Sequence, residues 1–301
     1  MSTPVVRADG LTKWYGRSRG VIELSFEVLP GEVFGFLGPN GAGKTTTIRL
    51  LLDLIRPTSG RIELFGLDVA RHSREVRART GYLPGDLRLY GQLTARQHLR
   101  YLAGLRRVPG LGDGEQIAER LELELDRPVR SLSKGNRQKV GILLTLFHRP
   151  ELLVLDEPTS GLDPLVQQTV YALLRERLAD GATVFFSSHV LAEVQQLAGR
   201  VAAIRAGRVE LVDSVEALRA RALTRVEVAF RAAPPPGAFA GLAGVRELGR
   251  HDHSVALELH GSADRLVKAL AQYEVLALDV HEADLEDVFL ELYGESGDGA
   301  A

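Results

Sequence analysis

The chain of 301 residues contains no cysteine, which excludes both a disulfide framework and a thiolate metal site. Long apolar runs are missing as well: none approaches the roughly 20 residues that a membrane-spanning helix requires. Any membrane role is therefore expected to be peripheral and to depend on a partner. The start, MSTPVVRADGLTKWYG, lacks the apolar centre of a signal peptide, so we do not expect it to act as one.

An excess of charge of one sign is also absent. The formal net charge is −2, so we expect no general attraction to nucleic acid. Lysine is scarce: the 37 basic residues include only Lys13, Lys44, Lys134, Lys139 and Lys268 beside arginine. The apolar fraction of 45% and the charged fraction of 25% are ordinary for a globular protein. The length allows one large domain or two smaller ones.

Strand and helix patterns alternate along the first two thirds of the chain, which predicts a mostly parallel α/β sheet. Apolar segments with turn signals around them predict strands at PVVRAD, VIELSFEV, GEVFGFLG, GRIELFG, ELLVLDEP and ATVFFSSH, and a hairpin at RVAAIRAGRVELVD. Helical spacing predicts helices at TTTIRLLLDLI, PLVQQTVYALLRERLADG and VLAEVQQLAG. Residues 69–148 are mainly helical and arginine-rich, with a break at GYLPGDLRLYGQLT.

The sequence changes character between Leu218 and Thr224, where we place a domain boundary. Beyond it, RVEVAF, SVALELHG and EVLALDVH predict strands, ADRLVKALAQ and ADLEDVFLELYG predict helices, and AAPPPGAFAG predicts a loop. Residues 295–301 are expected to form a disordered tail. No cluster of polar groups marks a site here, so we favour a packing or dimer-stabilising module over a regulatory ligand site.

The segment GPNGAGKTT matches the phosphate-loop pattern G-x-x-x-x-G-K-[ST]. Glycines allow backbone N–H groups to converge on phosphate oxygens, and the helix that follows presents its N-terminus to the anion. Lys44 supplies a compact charge, and the Thr45 hydroxyl is a ligand for Mg²⁺. The predicted nucleotide-binding residues of this loop are Asn40, Gly41, Ala42, Gly43, Lys44, Thr45 and Thr46.

Polar side chains follow two other predicted core strands. Asp156 and Glu157 end LLVLDE, and His189 ends ATVFFSSH. Ligands bind at the carboxyl ends of strands in open α/β sheets. Asp156 is thus placed to hold Mg²⁺, and Glu157 to polarise the water that attacks the γ-phosphate. Without the phosphate loop, the same residues would be an ordinary strand exit and a surface histidine.

Taken in order, GPNGAGKTT, LSKGNRQK, LLVLDEPTSGLD and SSH resemble the nucleotide-binding subunit of an ABC transporter. The resemblance covers residues 3–220, and residues 224–294 resemble, more weakly, the accessory domain of drug and antibiotic exporter subunits. It implies an α/β P-loop NTPase fold with an antiparallel N-terminal β subdomain. A helical subdomain over about residues 85–150 and a small α+β C-terminal domain complete the expected architecture.

Further site residues follow from the resemblance. Tyr15 in KWYG matches the aromatic residue that stacks on adenine, with a plain strand-edge aromatic as the alternative. The segment with Ser160 and Asp163 matches the D-loop, which contacts the opposite subunit, and His189 matches the histidine that contacts the γ-phosphate. The signature motif, which acts on the partner subunit's ATP, corresponds to Ser133, Lys134, Gly135 and Asn136. Lys134 and Asn136 depart from the usual Leu-Ser-Gly-Gly-Gln.

A second departure lies at the Q-loop, where the family places a glutamine. Here the aligned residue is Gly85, followed by Asp86, and glycine has no side chain to assist Mg²⁺ or water. We hypothesise that Asp86 or a water molecule takes this role. Gln92 is the less favoured alternative, because it lies further along the chain near a predicted helix start.

The resemblance implies an ATPase that uses ATP and Mg²⁺ and pairs head-to-tail with a copy of itself. It also implies a separate multi-span membrane permease as partner and a location at the cytoplasmic face of the membrane. A rival class is a soluble ABC-type ATPase that acts on ribosomes or nucleic acid. Those proteins usually carry two cassettes or basic linkers, neither of which is seen here. A regulator that binds nucleotide without hydrolysis is disfavoured by Glu157 and His189.

Overall fold

The computed structural model of the protein describes residues 3–221, 224–260 and 262–281. The chain divides into two compact units, Met1–Asp213 and Ser214–Ala301. This division lies shortly before the boundary that composition predicts at Leu218–Thr224. The predicted helix ADLEDVFLELYG and the predicted tail 295–301 lie outside the described residues.

The strands are β1 (Val6–Tyr15), β2 (Ser18–Val28), β3 (Val33–Leu37), β4 (Ser59–Leu64), β5 (Leu67–Asp68), β6 (Thr80–Leu83), β7 (Leu152–Asp156), β8 (Thr183–Ser188), β9 (Arg200–Arg205), β10 (Arg208–Ser214), β11 (Thr224–Phe230), β12 (Val245–His251), β13 (Ser254–Leu259) and β14 (Val275–His281). The helices are α1 (Lys44–Leu51), α2 (Val69–Ala78), α3 (Ala95–Arg106), α4 (Gly114–Arg120), α5 (Lys134–Leu146), α6 (Pro164–Ala179), α7 (Leu191–Leu197), α8 (Val215–Arg221) and α9 (Asp264–Leu270). No helix of the described part of the chain is both long and apolar enough to cross a membrane.

The first unit contains two sheets. One has the strand order β2-β1-β4-β5 and pairs its strands in antiparallel fashion, and the other has the order β10-β9-β3-β8-β7-β6. In the larger sheet β9, β3, β8, β7 and β6 run parallel. Strands β3, β7 and β8 are buried along their whole length, as continuous apolar runs in a parallel sheet require.

Four phenylalanine rings join the two sheets. Phe26 of β2 lies 5.5–5.9 Å, between ring centroids, from Phe34 and Phe36 of β3 and from Phe185 of β8. All four side chains are buried, and each contributes about 2–3 kcal/mol through removal of its apolar surface from water. This packing fixes the small antiparallel sheet against the strand that leads into the phosphate loop.

The parallel register brings three strand ends to one edge. Leu37 of β3 pairs with Ser188 of β8, and Asp156 of β7 pairs with Ser187 of β8. The segments that follow β3, β7 and β8 therefore leave the sheet side by side. The tertiary fold places the phosphate loop, the carboxylates and His189 together for this reason.

The helical region between β6 and β7 contains α3, α4 and α5, as the sequence predicts. Thr94 caps α3 and forms a reciprocal capping box with Gln97, and Ser133 caps α5. One predicted helix is shorter than expected: TTTIRLLLDLI forms α1 only as far as Leu51. The chain turns there because Asp53 adopts a left-handed conformation with φ of 54°.

The second unit has a sheet of order β12-β13-β11-β14, with antiparallel pairs throughout. Phe230, Phe239 and Tyr273 pack with ring centroids 5.9–6.1 Å apart, so Phe239 of the proline-rich loop belongs to the core. Strand β12 was not predicted, because VRELGRH is polar and mostly exposed at the sheet edge, and its register shifts between Glu247 and Gly249.

Candidate nucleotide-binding site

The phosphate loop connects β3 to α1 and depends on glycine geometry. Gly43, the residue before α1, has φ of 112°, and no side chain caps the helix. A Cβ on Gly43 would lie 2.7 Å from Val21 Cγ1, and one on Gly38 would lie 2.3 Å from the carbonyl oxygen of Ile204. Only glycine fits these two places. The uncapped N-terminus leaves backbone N–H groups for an anion.

Lys44 lies across this loop and is 6% exposed. Its Nζ donates to the carbonyl oxygen of Gly38 at 2.6 Å and to that of Pro39 at 3.3 Å. The same ammonium group lies 3.3 Å from Oε1 of Glu157. A buried cation so placed can compensate phosphate charge, while its carbonyl contacts keep it directed across the loop.

Asp156 is buried at the end of β7, where two hydroxyl groups donate to its carboxylate. Thr45 Oγ1 donates to Oδ2 at 2.7 Å, and Ser187 Oγ donates to Oδ1 at 2.6 Å. Burial, aided by the negative charge of Asp156, raises the pKa of Tyr82 on the neighbouring strand β6. Thr45 and Asp156 thus bring two hard oxygen donors together.

This donor set fits Mg²⁺. The ion prefers oxygen ligands and usually keeps water and phosphate in its shell, with only one or two protein groups. The described residues contain no group of three or more histidine, cysteine or acidic side chains that could hold a metal. Thr45 and Asp156 would therefore have to share Mg²⁺ with water and phosphate oxygens, which is how proteins usually bind this ion.

Glu157 and His189 meet where β7 and β8 end. Nδ1 of His189 lies 2.7 Å from Oε2 of Glu157, while the other carboxylate oxygen faces Lys44. Glu157 has φ of 52°, a left-handed conformation that is uncommon for a residue with a side chain. Its backbone N–H donates to the carbonyl oxygen of Ser187 at 3.2 Å. The structure thus brings the predicted base, histidine and lysine into one cluster.

Tyr15 lies at the end of β1 and is 45% exposed. A Cβ on Gly20 would lie 3.1 Å from Tyr15 Cε2 and 3.3 Å from Thr46 Cγ2, so the ring is near the first turn of α1. The ammonium group of Lys13 lies 5.4 Å from the ring centroid. Because the Tyr15 ring is partly exposed and lies near the first turn of α1, it is available to stack on a base.

The predicted signature residues lie elsewhere, at the start of α5. Ser133 Oγ accepts from the backbone N–H of Asn136 at 3.2 Å. A Cβ on Gly161 would lie 3.4 Å from Lys134 Cε, and one on Gly135 would lie 3.1 Å from the Gly161 carbonyl oxygen. The first turn of α5 therefore packs against the predicted D-loop. Among the described residues, no hydrogen bond or ion pair joins Ser133–Asn136 to the loop that carries Lys44.

The predicted D-loop ends where α6 begins. Asp163 caps α6 and accepts from the N–H of Val166 at 3.0 Å, and Ser160 is exposed. Asp163 therefore acts as the N-cap of α6.

The predicted Q-loop position lies beside Asp156, one of the two predicted magnesium ligands. A Cβ on Gly85 would lie 3.0 Å from Oδ2 of Asp156. The structure does not bring Asp86 to that place: its carboxylate, 68% exposed, accepts from Arg88 at 2.9 Å. Gln92 is exposed as well. The substitute role of Asp86 thus stays a prediction.

Two polar side chains near the site were missed in the sequence. Gln138 of α5 is 9% exposed, and its Nε2 donates to the carbonyl oxygen of Pro158 at 2.9 Å. Glu193 of α7 accepts from Ser188 at 2.6 Å and also from Thr159. The only available signals were a glutamine within the apolar pattern of α5 and an acid one helical turn after His189.

Comparison with known proteins gives consistent matches. The family model for the ABC transporter matches residues 21–160. The bacitracin transport ATP-binding protein BcrA of Bacillus licheniformis is 35% identical, over 98% of each chain. The daunorubicin resistance ATP-binding protein DrrA3 of Streptomyces coeruleorubidus is also 35% identical, over 98% of each chain. Among solved structures, the ATP-binding subunit of an ABC transporter aligns with a TM-score of 0.66 and 29% identity, covering 72% of this chain and 92% of that one.

These matches confirm the predicted family and the P-loop fold. They also favour a transport ATPase over the rival class that acts on ribosomes or nucleic acid. Identity of 35% along almost the whole chain extends the similarity beyond the nucleotide-binding unit into the second one. The chain belongs to the ABC transporter family, as one of its ATP-binding subunits.

Proposed function

We propose that this chain hydrolyses ATP as a head-to-tail homodimer and powers export by a separate membrane-spanning partner. The observation that carries the proposal is the similarity along 98% of each chain to ATP-binding proteins for bacitracin transport and daunorubicin resistance. The cargo would be a hydrophobic compound that the membrane partner contacts. The subunit would lie at the cytoplasmic face of the membrane.

ATP would bind with its phosphates over the loop of Asn40–Thr46 and its base against Tyr15. The helix dipole of α1 and the ammonium group of Lys44 would both stabilise phosphate charge. Thr45 and Asp156 would hold Mg²⁺. When bound, the ion neutralises charge that develops on the phosphate oxygens during transfer.

Glu157 would act as the general base for the attacking water. His189, which contacts Oε2 of Glu157, would keep the carboxylate oriented and would contact the γ-phosphate. The contact between Lys44 Nζ and Oε1 of Glu157, at 3.3 Å, places this carboxylate beside the loop that would hold the phosphates.

The signature motif supports the head-to-tail arrangement. Ser133 lies at an exposed helix start, and among the described residues no hydrogen bond or ion pair joins it to the Lys44 loop of its own chain. Such a second anion-binding turn is accounted for if it closes over ATP held by the partner's phosphate loop. Ser133→Arg should therefore abolish hydrolysis while binding of ATP to a monomer stays largely intact.

Mixed dimers test this arrangement, because each composite site uses Glu157 from one subunit and Ser133 from the other. With Ser133→Arg on one subunit and Glu157→Gln on the other, one site keeps both wild-type groups. With both substitutions on the same subunit, each site loses one group. We expect ATPase activity of about half the wild-type rate in the first dimer and almost none in the second, measured on dimers purified through two different tags.

The opposite pattern would contradict head-to-tail pairing. If each chain completed its own site, the dimer with both substitutions on one subunit would keep one intact site, and the other dimer would keep none. Co-purification of the wild-type subunit with a multi-span membrane protein, rather than with ribosomes or nucleic acid, would test the partner.

A further inference from the structure

The backbone at Glu157 is held in an unfavourable conformation. Its φ of 52° is left-handed, and the next residue is Pro158, which further disfavours helical conformations at the preceding position. Left-handed conformations at residues with side chains persist only where neighbours impose them. The position of the Glu157 carboxylate therefore depends on whatever holds the two peptide groups beside it.

One side of Glu157 is held by β8. The N–H of Glu157 donates to the Ser187 carbonyl oxygen and to Ser187 Oγ, both at 3.2 Å. The bond to the Ser187 carbonyl oxygen continues the parallel pairing of β7 with β8. It explains where the strand ends but not the conformation of the peptide that follows.

The other side is held by the buried side-chain amide of Gln138 together with the backbone N–H of Ser160. Nε2 of Gln138 donates to the Pro158 carbonyl oxygen at 2.9 Å and approaches the Glu157 carbonyl oxygen at 3.4 Å. The Glu157 carbonyl also accepts from the Ser160 N–H at 3.2 Å. For the buried Pro158 carbonyl, Gln138 is the only hydrogen-bond donor among the described residues. Removal of that amide leaves a buried acceptor unsatisfied, which is costly.

Gln138 connects this peptide to the signature helix of the same chain. It lies in α5, near the turn with Ser133 and Asn136, and it faces the segment that leads into the D-loop. Lys134 packs on Gly161 of that segment through its methylene groups. The first turns of α5 and the segment after Glu157 thus form one packed layer.

We propose that Gln138 is a positioning residue that keeps the Glu157 carboxylate in reach of Lys44 and His189 of its own subunit. It makes no contact with reacting atoms. The proposal rests on the proposed function, since it assumes that Glu157 is the general base. It assigns to α5 a second role, separate from the contact that Ser133 makes with the partner's nucleotide.

The first test replaces Gln138 by methionine, which has similar length and no donor. A shift of the base by about 1 Å is expected to lower kcat by about ten- to hundredfold, with KM for ATP changed little because the phosphate loop is intact. Gln167→Met is the matched control: Gln167 donates to the Leu162 carbonyl oxygen at 3.1 Å, in the same segment but away from Glu157. The control should keep a rate close to that of the wild type.

The second test uses the mixed dimer with Ser133→Arg on one subunit and Glu157→Gln on the other. Its one intact site takes Glu157 from the first subunit and Ser133 from the second. Gln138→Met on the first subunit should slow hydrolysis about ten- to hundredfold, whereas on the second subunit it should not. If Gln138 only supported the packing of α5, Gln138→Met would slow hydrolysis on whichever subunit carries it.

The proposal would be overturned if Gln138→Met slowed hydrolysis only when placed on the second subunit, or on neither subunit. A Gln138→Met homodimer with the wild-type kcat would also overturn it. If the methionine variant does not fold, Gln138→Glu keeps the size and replaces the donor by an acceptor, and the same outcomes apply to it. An inactive mixed dimer before any change at Gln138 would instead contradict head-to-tail pairing, and the homodimer rates would then decide on Gln138.

Discussion

The side chains that surround Glu157 are not its neighbours in sequence. Its neighbours Lys44, His189 and Gln138 come from three distant parts of the chain. The residue types of the first two were predicted, since lysine in a phosphate loop and histidine after a core strand carry recognisable patterns. Gln138 was not, because one glutamine in an amphipathic helix carries no such pattern and only packing shows its contacts.

Glu157→Gln should lower kcat for ATP hydrolysis by about a hundredfold or more, since an amide cannot accept the proton of water. ATP binding should persist, because size and shape are retained. Glu151→Gln is the control: Glu151 lies one strand length earlier and pairs with Arg79 at the surface. Steady-state ATPase and equilibrium binding of ATP measure both effects. A Glu157→Gln protein as fast as the wild type would refute the assignment of the base.

His148 gives a prediction on pH. Burial, with the positive charge of Arg106 next in effect, lowers the pKa of His148 to about 4. Its value in the unfolded chain is about 6.5. Between these values the unfolded chain binds a proton that the folded chain does not, so stability falls as the pH falls through this window. This group alone should remove about 2 kcal/mol between pH 7 and pH 5.

Urea unfolding of the wild type and of His148→Phe at both pH values measures that contribution. The variant should lose about 2 kcal/mol less than the wild type on acidification. His251→Gln is the control for the loss of an exposed histidine, since His251 is 91% exposed. An identical pH dependence for His148→Phe and the wild type would rule out this role of His148.

At the scale of elements, glycine is required immediately before α1 but not within α3. Gly43 precedes α1 with φ of 112° and has no room for a Cβ beside Val21, whereas a Cβ on Gly104 of α3 meets nothing within 4 Å. Gly104 is exposed in the helix. The two glycines therefore predict opposite responses to the same substitution.

Gly43→Ala should lower the free energy of unfolding by about 2 kcal/mol or more and weaken ATP binding, because the loop must shift. Gly104→Ala should raise it by about 0.5–1 kcal/mol through better helix propensity and leave ATP binding unchanged. Denaturant titration and nucleotide titration give both quantities. A neutral Gly43→Ala would show that the loop tolerates a side chain at this place.

Elements with strong local patterns were predictable, and those without were not. The buried strands β3, β7 and β8 are continuous apolar runs, and α5 begins at a serine cap. Strand β12 is polar and exposed, so its pairing with β13 decides its conformation rather than its composition. The end of α1 at Leu51 likewise depends on the turn at Asp53 and not on helical spacing.

For the whole molecule, truncation tests the prediction that the second unit stabilises the dimer. Removal of residues 224–301 should leave the first unit folded and able to bind ATP, since its core is formed within Met1–Asp213. The dimer should weaken. Light scattering after size exclusion, with and without ATP, measures the oligomeric state.

Removal of residues 295–301 alone is the matched control for that truncation and should leave the dimer unchanged. If the protein without residues 224–301 formed an unaltered dimer, the stabilising role would be excluded. A ligand site in this unit would then become the alternative to test.

By itself, the sequence determined the family and the fold class. It also predicted the residue types of the site, because phosphate chemistry needs glycines, a lysine, a hydroxyl and carboxylates at set places. Spacing along the chain could not determine distances between strands. The parallel register of β3, β7 and β8 decided that Lys44, Asp156, Glu157 and His189 meet at one edge. Packing of α5 decided that Gln138 donates to the Pro158 carbonyl oxygen, and the pairing of Asp86 with Arg88 keeps Asp86 at the surface. The contacts of the site and of Gln138 join residues far apart in the chain, and only the folded backbone brings them within hydrogen-bonding distance.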